Sequence, residues 1–187
     1  MDFRRAVGVV AVVCVAVLVS AALLHDESED VWIEGNEGVV AIQSFDITDS
    51  NTGSSVVGSI FLLDSDGGVS AQIVATFSIA DGDIGGVAFV CDGAFTLDGL
   101  VCSFQDDVDA GSLLVLDFYD RWRVSIGMLD WYAGAGTGSI SITMSLDGEA
   151  DAESGFTFIV SAGYTTLEDG SLYIGCENET YVLEVGS

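Results

Sequence analysis

The stretch that decides the fold is VSAQIVATFSI, residues 69–79, in which apolar and polar side chains alternate. An alternation with a period of two places the apolar side chains on one face of a strand, so this stretch predicts a β-strand with one buried face. Residues 139–146 repeat the pattern, with Ile140, Ile142 and Met144 set between serine and threonine residues. The sequence therefore predicts half-buried strands of the kind found in antiparallel sheets.

Asp-Gly pairs separate further apolar segments along the chain. This dipeptide supplies the positive φ angle that tight hairpin turns require. The pairs occur at residues 66–67, 81–82, 92–93, 98–99, 147–148 and 169–170. The segments predicted as strands are residues 39–47, 56–62, 69–79, 84–91, 100–104, 112–119, 121–129, 139–146, 156–160, 172–174 and 181–185. Short strands at this spacing, without a sustained helical period, predict a mainly β protein with an antiparallel β-sandwich.

An uncharged apolar stretch, AVGVVAVVCVAVLVSAALL, precedes the predicted sandwich at residues 6–24. As an α-helix it would be about 28 Å long, which is close to the hydrocarbon thickness of a bilayer. A basic leader, residues 1–5, lies before it, and an acidic spacer, residues 25–36, follows it. The two arginines of the leader predict a cytoplasmic N-terminus. We therefore expect a transmembrane-type α-helix in a lipid membrane, with residues 37–187 forming an extracellular domain.

The sequence leaves three alternatives for the processing of the apolar stretch. Its length favours an uncleaved signal-anchor, because the apolar region of a cleaved signal peptide usually spans roughly 7–15 residues. Cleavage near Ala21 would instead release a secreted domain. In the third alternative the leader is clipped, because Arg5-Ala6-Val7-Gly8 resembles the processing site of archaeal pilins and archaellins. That resemblance implies a pilin-like subunit whose N-terminal helix forms the core of a filament.

Charge is the dominant property of the whole chain, which has 30 acidic residues, four arginines and no lysine, for a formal net charge of −26. Such a surface repels nucleic-acid phosphates, so nucleic-acid binding is excluded. Half of the chain is hydrophobic, which argues against disorder. High salt suits a folded acidic domain, because repulsion is screened within about 3 Å at molar salt. The composition resembles that of haloarchaeal secreted proteins, and an ordinary acidic protein from a GC-rich genome is the alternative.

Cys91 and Cys102 flank a glycine-containing tip, and turns at residues 110–112 and 135–138 each precede an apolar strand. This arrangement resembles the Ig-like repeats of prokaryotic surface proteins. The resemblance implies an Ig-like sandwich and a disulfide between the two cysteines across a hairpin, worth roughly 3 kcal/mol on the loop-entropy model. Two buried thiols are the alternative. Cys176 is expected to be free or to form an intermolecular bond.

An aromatic and basic stretch, FYDRWR at residues 118–123, is followed closely by a Trp-Tyr pair. It contains both arginines of the predicted domain, and arginine with aromatic side chains is typical of binding hot spots. The alternative is internal, with the arginines paired to nearby aspartates and the rings inside the sandwich. The residues predicted to contact another copy or another surface protein are Arg121, Trp122, Arg123, Trp131 and Tyr132.

Other candidate sites are few. Asn178-Glu179-Thr180 is a glycosylation sequon in a domain expected to face outward, so Asn178 is a predicted modification site. Short acidic clusters at residues 64–67 and 106–109 lack the spacing of a calcium loop, so we expect no metal and no cofactor. The single histidine, His25, precedes the domain, which excludes a Ser-His-Asp triad within it. No catalytic residue is predicted.

These features together predict a non-enzymatic, membrane-anchored surface protein with a structural or adhesive role in a halophilic cell or virus. A pilin-like filament subunit is the first alternative. A secreted module that binds carbohydrate or calcium is the second, and it requires cleavage of the apolar stretch.

Overall fold

A computed structural model describes residues 38–65, 68–106, 113–118, 121–127, 135–146 and 155–184. All of these residues belong to one unit of the chain, Gly38–Ser187. Within these ranges there is no helix able to span a bilayer. The predicted leader, anchor helix and spacer lie outside the described residues.

Ten strands make up the described fold, and every pairing between them is antiparallel. Sheet A has the order β1-β2-β3-β8-β5, and sheet B has the order β10-β9-β4-β7-β6. Two antiparallel sheets around one core confirm the prediction of a mainly β sandwich. The strands are β1 (Val39–Thr48), β2 (Ser55–Ser65), β3 (Gly68–Ile79), β4 (Val87–Asp92), β5 (Phe95–Asp106), β6 (Leu113–Phe118), β7 (Arg121–Ile126), β8 (Gly136–Leu146), β9 (Phe156–Thr166) and β10 (Leu172–Leu183).

The alternating pattern of β3 supplies a central part of the core. Its residues Ile73, Phe77 and Ile79 are buried, and they belong to a single cluster that takes side chains from both sheets. The rings of Phe45 in sheet A and Phe89 in sheet B meet edge-on at 6.3 Å between centroids. Full burial of side chains of this size contributes about 1.5–3 kcal/mol each, so the inward faces of the two sheets hold the sandwich together.

The Asp-Gly pairs do not all form turns. Gly82 and Gly170 lie in turns with φ angles of 75° and 81°, as the dipeptide predicts. The prediction of a turn at Asp98-Gly99 is wrong, because this pair lies inside β5. There the ladder with β8 shifts register between Leu97 and Gly99, so Asp98 is the extra residue of a β-bulge.

β10 is one continuous strand, whereas the sequence predicts two short strands at residues 172–174 and 181–185. The β9–β10 ladder shifts register between Ile174 and Glu177, where the sequence of β10 does not alternate between apolar and polar residues. Gly175 takes a φ of 70° at this bulge, a conformation that glycine adopts without strain. The strand therefore continues through residues whose pattern indicates a break.

Cys91 and Cys102 do not form the predicted hairpin, because β4 belongs to sheet B and β5 to sheet A. The Cys91 thiol lies 3.5 Å from Met144 Sδ in the core. Cys102 is opposite Ile140, about 13 Å along β8 from Met144. A disulfide needs Cα atoms within about 7 Å of each other. The predicted bond is therefore not formed, and both cysteines are free thiols, with burial raising the pKa of Cys102 to about 11.

Candidate functional site

The edges of the sheets are where a sandwich can pair with another chain, because an edge strand has backbone N–H and C=O groups without ladder partners. The four edge strands are β1 and β5 in sheet A, and β10 and β6 in sheet B. In three of them the ladder is interrupted by a register shift, with the extra residue on the edge strand. The shifts lie between Val39 and Ala41, between Leu97 and Gly99, and between Ile174 and Glu177.

β6 is the regular edge among the described strands. It pairs with β7 from Leu113 to Phe118 without any register shift. Bulges twist an edge and interrupt its pairing, so they are a common protection against contact with other chains. β6 lacks this protection, and it has no described strand on its other side.

β6 is also apolar, where many edge strands are charged. Its sequence is LLVLDF, and Leu114, Val115 and Phe118 are 40%, 43% and 48% exposed. Asp117 is its only charged residue; it is exposed, although it lies opposite the buried Trp122 on the core side of the strand. Leu114, Leu116 and Phe118 are on the opposite, outer side, because side chains alternate along a strand.

The two predicted arginines lie next to this apolar row. Arg121 is opposite Phe118 and Arg123 is opposite Leu116 in the β6–β7 ladder. Arg121 is exposed, whereas Arg123 is half-buried and its Nε donates a hydrogen bond to Ser125 Oγ at 2.8 Å. Burial lowers the pKa of Arg123 from its ordinary value. The structure thus places both predicted arginines on the outer face of sheet B beside its regular edge.

The Trp122 side chain points toward the core, on the opposite face of β7 from Arg121 and Arg123. It is 5% exposed and belongs to the core, so its ring does not reach a partner as the sequence predicts. Its indole Nε1 is buried without a hydrogen-bond partner among the described residues. The ring fills the sandwich, as the internal alternative for this stretch proposes. Trp131 and Tyr132 lie outside the described residues, so their predicted contacts stay predictions.

The β6–β7 pair also differs in charge from the rest of the molecule. Its strands carry Arg121 and Arg123 against Asp117, with Asp120 between the strands in sequence, whereas the other described strands and loops contain no arginine or lysine. The whole chain has a net charge of −26, so two copies repel each other over most of their surface. That repulsion is weakest where the local charge is not acidic, which makes the β6–β7 edge the most favourable place for close approach.

A buried polar cluster at the β1–β2 turn is the second group of interest, and the sequence predictions missed it. Asp49 accepts hydrogen bonds from Thr52 N at 2.7 Å, from Thr52 Oγ1 at 2.6 Å and from Cys176 Sγ at 3.1 Å. Burial alone would raise the pKa of Asp49, but these bonds outweigh it and hold that pKa below its ordinary value. Burial and the Asp49 carboxylate raise the pKa of the Cys176 thiol. The signal in the sequence was the turn-forming run Asp-Ser-Asn-Thr-Gly at residues 49–53.

This cluster stabilises the fold and does not form a binding site. Asp83 lies beside it, accepting from Gly85 N at 2.7 Å, and its Oδ2 is 3.5 Å from Thr52 Oγ1, whose proton goes to the closer Asp49. Asp49 and Asp83 are both buried, so neither carboxylate is open to a substrate. Across the described part of the chain, no three acidic, cysteine or histidine side chains are grouped to hold a metal. The hydrogen bonds instead tie the β1–β2 turn to the bulge of β10.

Asn178, the predicted glycosylation site, lies on β10. Its side chain is exposed, and its Nδ2 donates a hydrogen bond to Gly175 O at 3.2 Å. Thr180, the third residue of the sequon, is exposed as well. The position is accessible to a modifying enzyme, and its glycosylation stays a prediction.

No protein-family model matches this chain, and no curated protein matches it. Solved structures with partial likeness include bacterial pilin and adhesin domains and an archaeal cohesin. The major pilin subunit BcpA of Bacillus cereus is 10% identical with a TM-score of 0.38, covering 61% of this chain and 34% of the pilin. The collagen-binding domain of a Staphylococcus aureus adhesin is 13% identical with a TM-score of 0.32, covering 58% of this chain and 86% of that domain.

The pilus backbone protein RrgB of Streptococcus pneumoniae is 12% identical with a TM-score of 0.30, covering 83% of this chain and 42% of RrgB. This chain therefore spans only a part of either pilin, 34% of the length of BcpA. TM-scores and identities this low assign neither a family nor a function. None of these three structures is haloarchaeal, so the predicted haloarchaeal resemblance gains no support from them.

Proposed function

We propose that this chain is a non-enzymatic surface protein with a structural or adhesive role, whose Ig-like sandwich forms contacts with other protein chains. The observation that carries the proposal is the β6–β7 edge. It is regular and apolar, and it holds the arginines Arg121 and Arg123 in an otherwise acidic molecule. An edge strand with a regular backbone can serve as a template for pairing with another chain.

The proposal places the sandwich outside a membrane. Residues 6–24 form the anchor helix, with the leader of residues 1–5 in the cytoplasm and the spacer of residues 25–36 outside. The length and lack of charge of the anchor support this arrangement, as do the arginines before it. Residues 37–187 then form the head on the surface of a cell or virion. The acidic composition supports a high-salt habitat, where screening reduces self-repulsion.

A pilin-like filament subunit is the second candidate. It is favoured by Arg5-Ala6-Val7-Gly8, which has the basic, small and apolar order of an archaeal pilin processing site. In this case the same apolar helix packs against helices of other copies instead of lipid. The sandwich would still be the surface-exposed part of the assembly.

Intact mass and membrane fractionation of the full chain, expressed in a halophilic host, test the proposal. We expect an unprocessed chain that stays with the membrane after alkaline washing, and a head that protease removes from whole cells. A mature N-terminus near Val7 would support the filament instead. An N-terminus near Ala22, with the protein in the medium, would contradict anchoring.

A matched pair of variants makes this test specific to the apolar stretch. Val12→Arg with Val17→Arg places two charges in the helix, at a cost of about 2.5–3.5 kcal/mol each at the bilayer centre, and should release the protein from the membrane. Val12→Leu with Val17→Leu keeps the stretch apolar and should leave the protein in the membrane. Equal retention of both variants would contradict a lipid-embedded helix.

A further inference from the structure

We propose that two copies of this chain pair through β6, antiparallel about a two-fold axis, so that sheet B continues from one copy into the next. The proposal deepens the proposed function and rests on it for the claim that the heads meet at a surface. The partner is a second copy of the same chain, and the contact is a backbone ladder along Leu113–Phe118.

The edge strands decide which surfaces can pair. A ladder between two copies runs without interruption only where both edges are regular, because a bulge leaves an unpaired residue and bends the strand. The β1, β5 and β10 edges each contain a register shift, and β6 does not. Among the described edge strands, β6 alone has no register shift along its whole length, and the pairing that uses two such edges is β6 with β6. This contact is symmetric and closes after two copies.

The side chains of β6 suit this arrangement. A two-fold axis perpendicular to the sheet keeps the outer face of one copy continuous with the outer face of the other. In the register that sets Leu116 opposite the same residue of the second copy, Leu114 lies opposite Phe118. Directly opposed apolar pairs of this kind stabilise antiparallel ladders. Leu114, Leu116 and Phe118 of both copies then form one row on the outer face, and the same register sets Val115 opposite Asp117 on the other face.

The charges favour a second copy as well. Any two copies carry large negative charges and repel each other. At the β6–β7 edge, Arg121 and Arg123 of each copy offset Asp117, so close approach there adds no excess of acidic side chains from these strands. Two features limit the strength of the contact. β6 is only six residues long, and Asp117 faces the core side of the strand, where an inward charge weakens edge pairing.

The expected contact is therefore weak for free chains and stronger for chains held in one membrane. Tethering raises the effective concentration of one head near another without adding any contact. Molar salt should favour pairing further, because it screens the repulsion between the acidic heads.

Cysteine crosslinking of the full chain in lipid vesicles at molar salt tests the pairing. Residues opposite each other across an antiparallel ladder have Cβ atoms about 4.5–5.5 Å apart, which mild oxidation can join. Leu116→Cys, or Leu114→Cys if the ladder is shifted, should give a covalent dimer. Thr180→Cys, on the exposed part of β10, is the matched control and should give about tenfold less. The variants are made in a chain with Cys14→Ala, Cys102→Ser and Cys176→Ser.

A second pair of variants separates loss of pairing from loss of folding. Leu116→Lys brings two like charges together at the axis and should lower dimer formation about tenfold, measured by fluorescence energy transfer between C-terminally labelled copies in the same vesicles. Val101→Lys changes an exposed apolar residue on β5, another edge strand, and should leave dimer formation unchanged. Circular dichroism of both variants should match that of the unmodified chain.

The outcomes separate this proposal from the proposed function. Membrane retention without crosslinking at either β6 position overturns the β6 pairing and leaves the anchored surface protein intact. A crosslinked product whose mass is not twice that of the chain overturns the second copy as the partner. A β6-specific dimer in protein that has left the membrane supports the pairing and contradicts the anchor.

Discussion

β10 and β6 close the same sheet at opposite ends, and they are built in opposite ways. β10 has a bulge at Gly175, and Glu177 and Glu179 are exposed along its middle. β6 is regular, and its exposed side chains are apolar except that of Asp117. The difference shows that protection belongs to the individual strand and not to the sheet. Among the described residues, one edge of sheet B is protected by charge and irregular backbone, and the other has a regular backbone and the single charge of Asp117.

The largest predicted change in the free energy of unfolding comes from the residues that pack behind each edge strand. Trp122 packs in the core behind β6. On β10, the ring centroid of Tyr181 lies 6.3 Å from that of Phe45. Trp122→Ala should lower the free energy of unfolding by about 3–5 kcal/mol, because it leaves a large cavity in the core. Tyr181→Ala should cost less, since its side chain is only partly buried. Urea unfolding followed by circular dichroism measures both, and equal costs would contradict the assignment of Trp122 to the core.

The bulge of β10 gives the next prediction, because Cys176 within it donates to the buried Asp49 carboxylate. Asp49→Ala should lower the free energy of unfolding by about 1–3 kcal/mol by leaving the Thr52 and Cys176 donors unpaired. Cys176→Ser keeps a donor and should cost less.

The same carboxylate sets a pH dependence with a definite sign. The pKa of Asp49 is lower in the folded protein than its ordinary value near 3.8, so the folded state favours the ionised form. This contribution to stability is present above about pH 3.8 and is lost as the pH falls through the folded pKa. Denaturation at several acidic pH values should show a shallower loss for Asp49→Ala than for the unmodified chain. Parallel pH profiles would contradict the role of this carboxylate.

The fold was predictable where a pattern is local. The alternation in β3 and β8 is explicit in the sequence, and both strands are present at the predicted positions. β10 was not predictable as one strand, because its continuity depends on a bulge that breaks the alternation. The separation of Cys91 from Cys102 was not predictable either, because the assignment of β4 and β5 to different sheets depends on contacts far apart in the sequence.

The candidate site was predictable in part. The aromatic and basic composition of residues 118–123 predicted that this stretch takes part in contacts. Within it, Arg121 and Arg123 alternate with Trp122 and Val124, and this alternation indicates which side chains face inward. The position of β6 at the edge of sheet B has no local signal. An edge strand and a central strand of the same composition differ only in their neighbours, and those neighbours are set by the whole topology.

Surface substitutions on the two edges give a smaller effect on stability and a selective effect on association. Leu114→Lys with Phe118→Lys should change the free energy of unfolding by no more than about 0.5 kcal/mol and should reduce self-association at molar salt. Glu177→Thr with Glu179→Thr removes acidic protection from β10 and should increase association through that edge. Light scattering across a concentration series measures both, and identical responses of the two edges would contradict the comparison.

Substitutions at the predicted glycosylation site should have the smallest effect on the free energy of unfolding. Asn178 lies on the exposed surface of β10, so a glycan there would add a further obstacle to pairing at that edge. In the proposed host, Thr180→Ala should remove the glycan and lower the intact mass by more than the substitution itself. Thr180→Ser keeps the sequon and should retain the glycan. Neither change should alter the unfolding free energy by more than about 0.5 kcal/mol.

Amide hydrogen exchange of the full chain in lipid vesicles tests the central claim most directly, that β6 is the edge that contacts another chain. As the protein-to-lipid ratio rises at molar salt, the amides of β6, Leu113–Phe118, should exchange more slowly because their edge-facing N–H groups become paired. The amides of Glu177–Thr180 on β10 should keep the same rate at every ratio. Protection that appears on β10 and not on β6, or that does not change on either edge, would contradict the account.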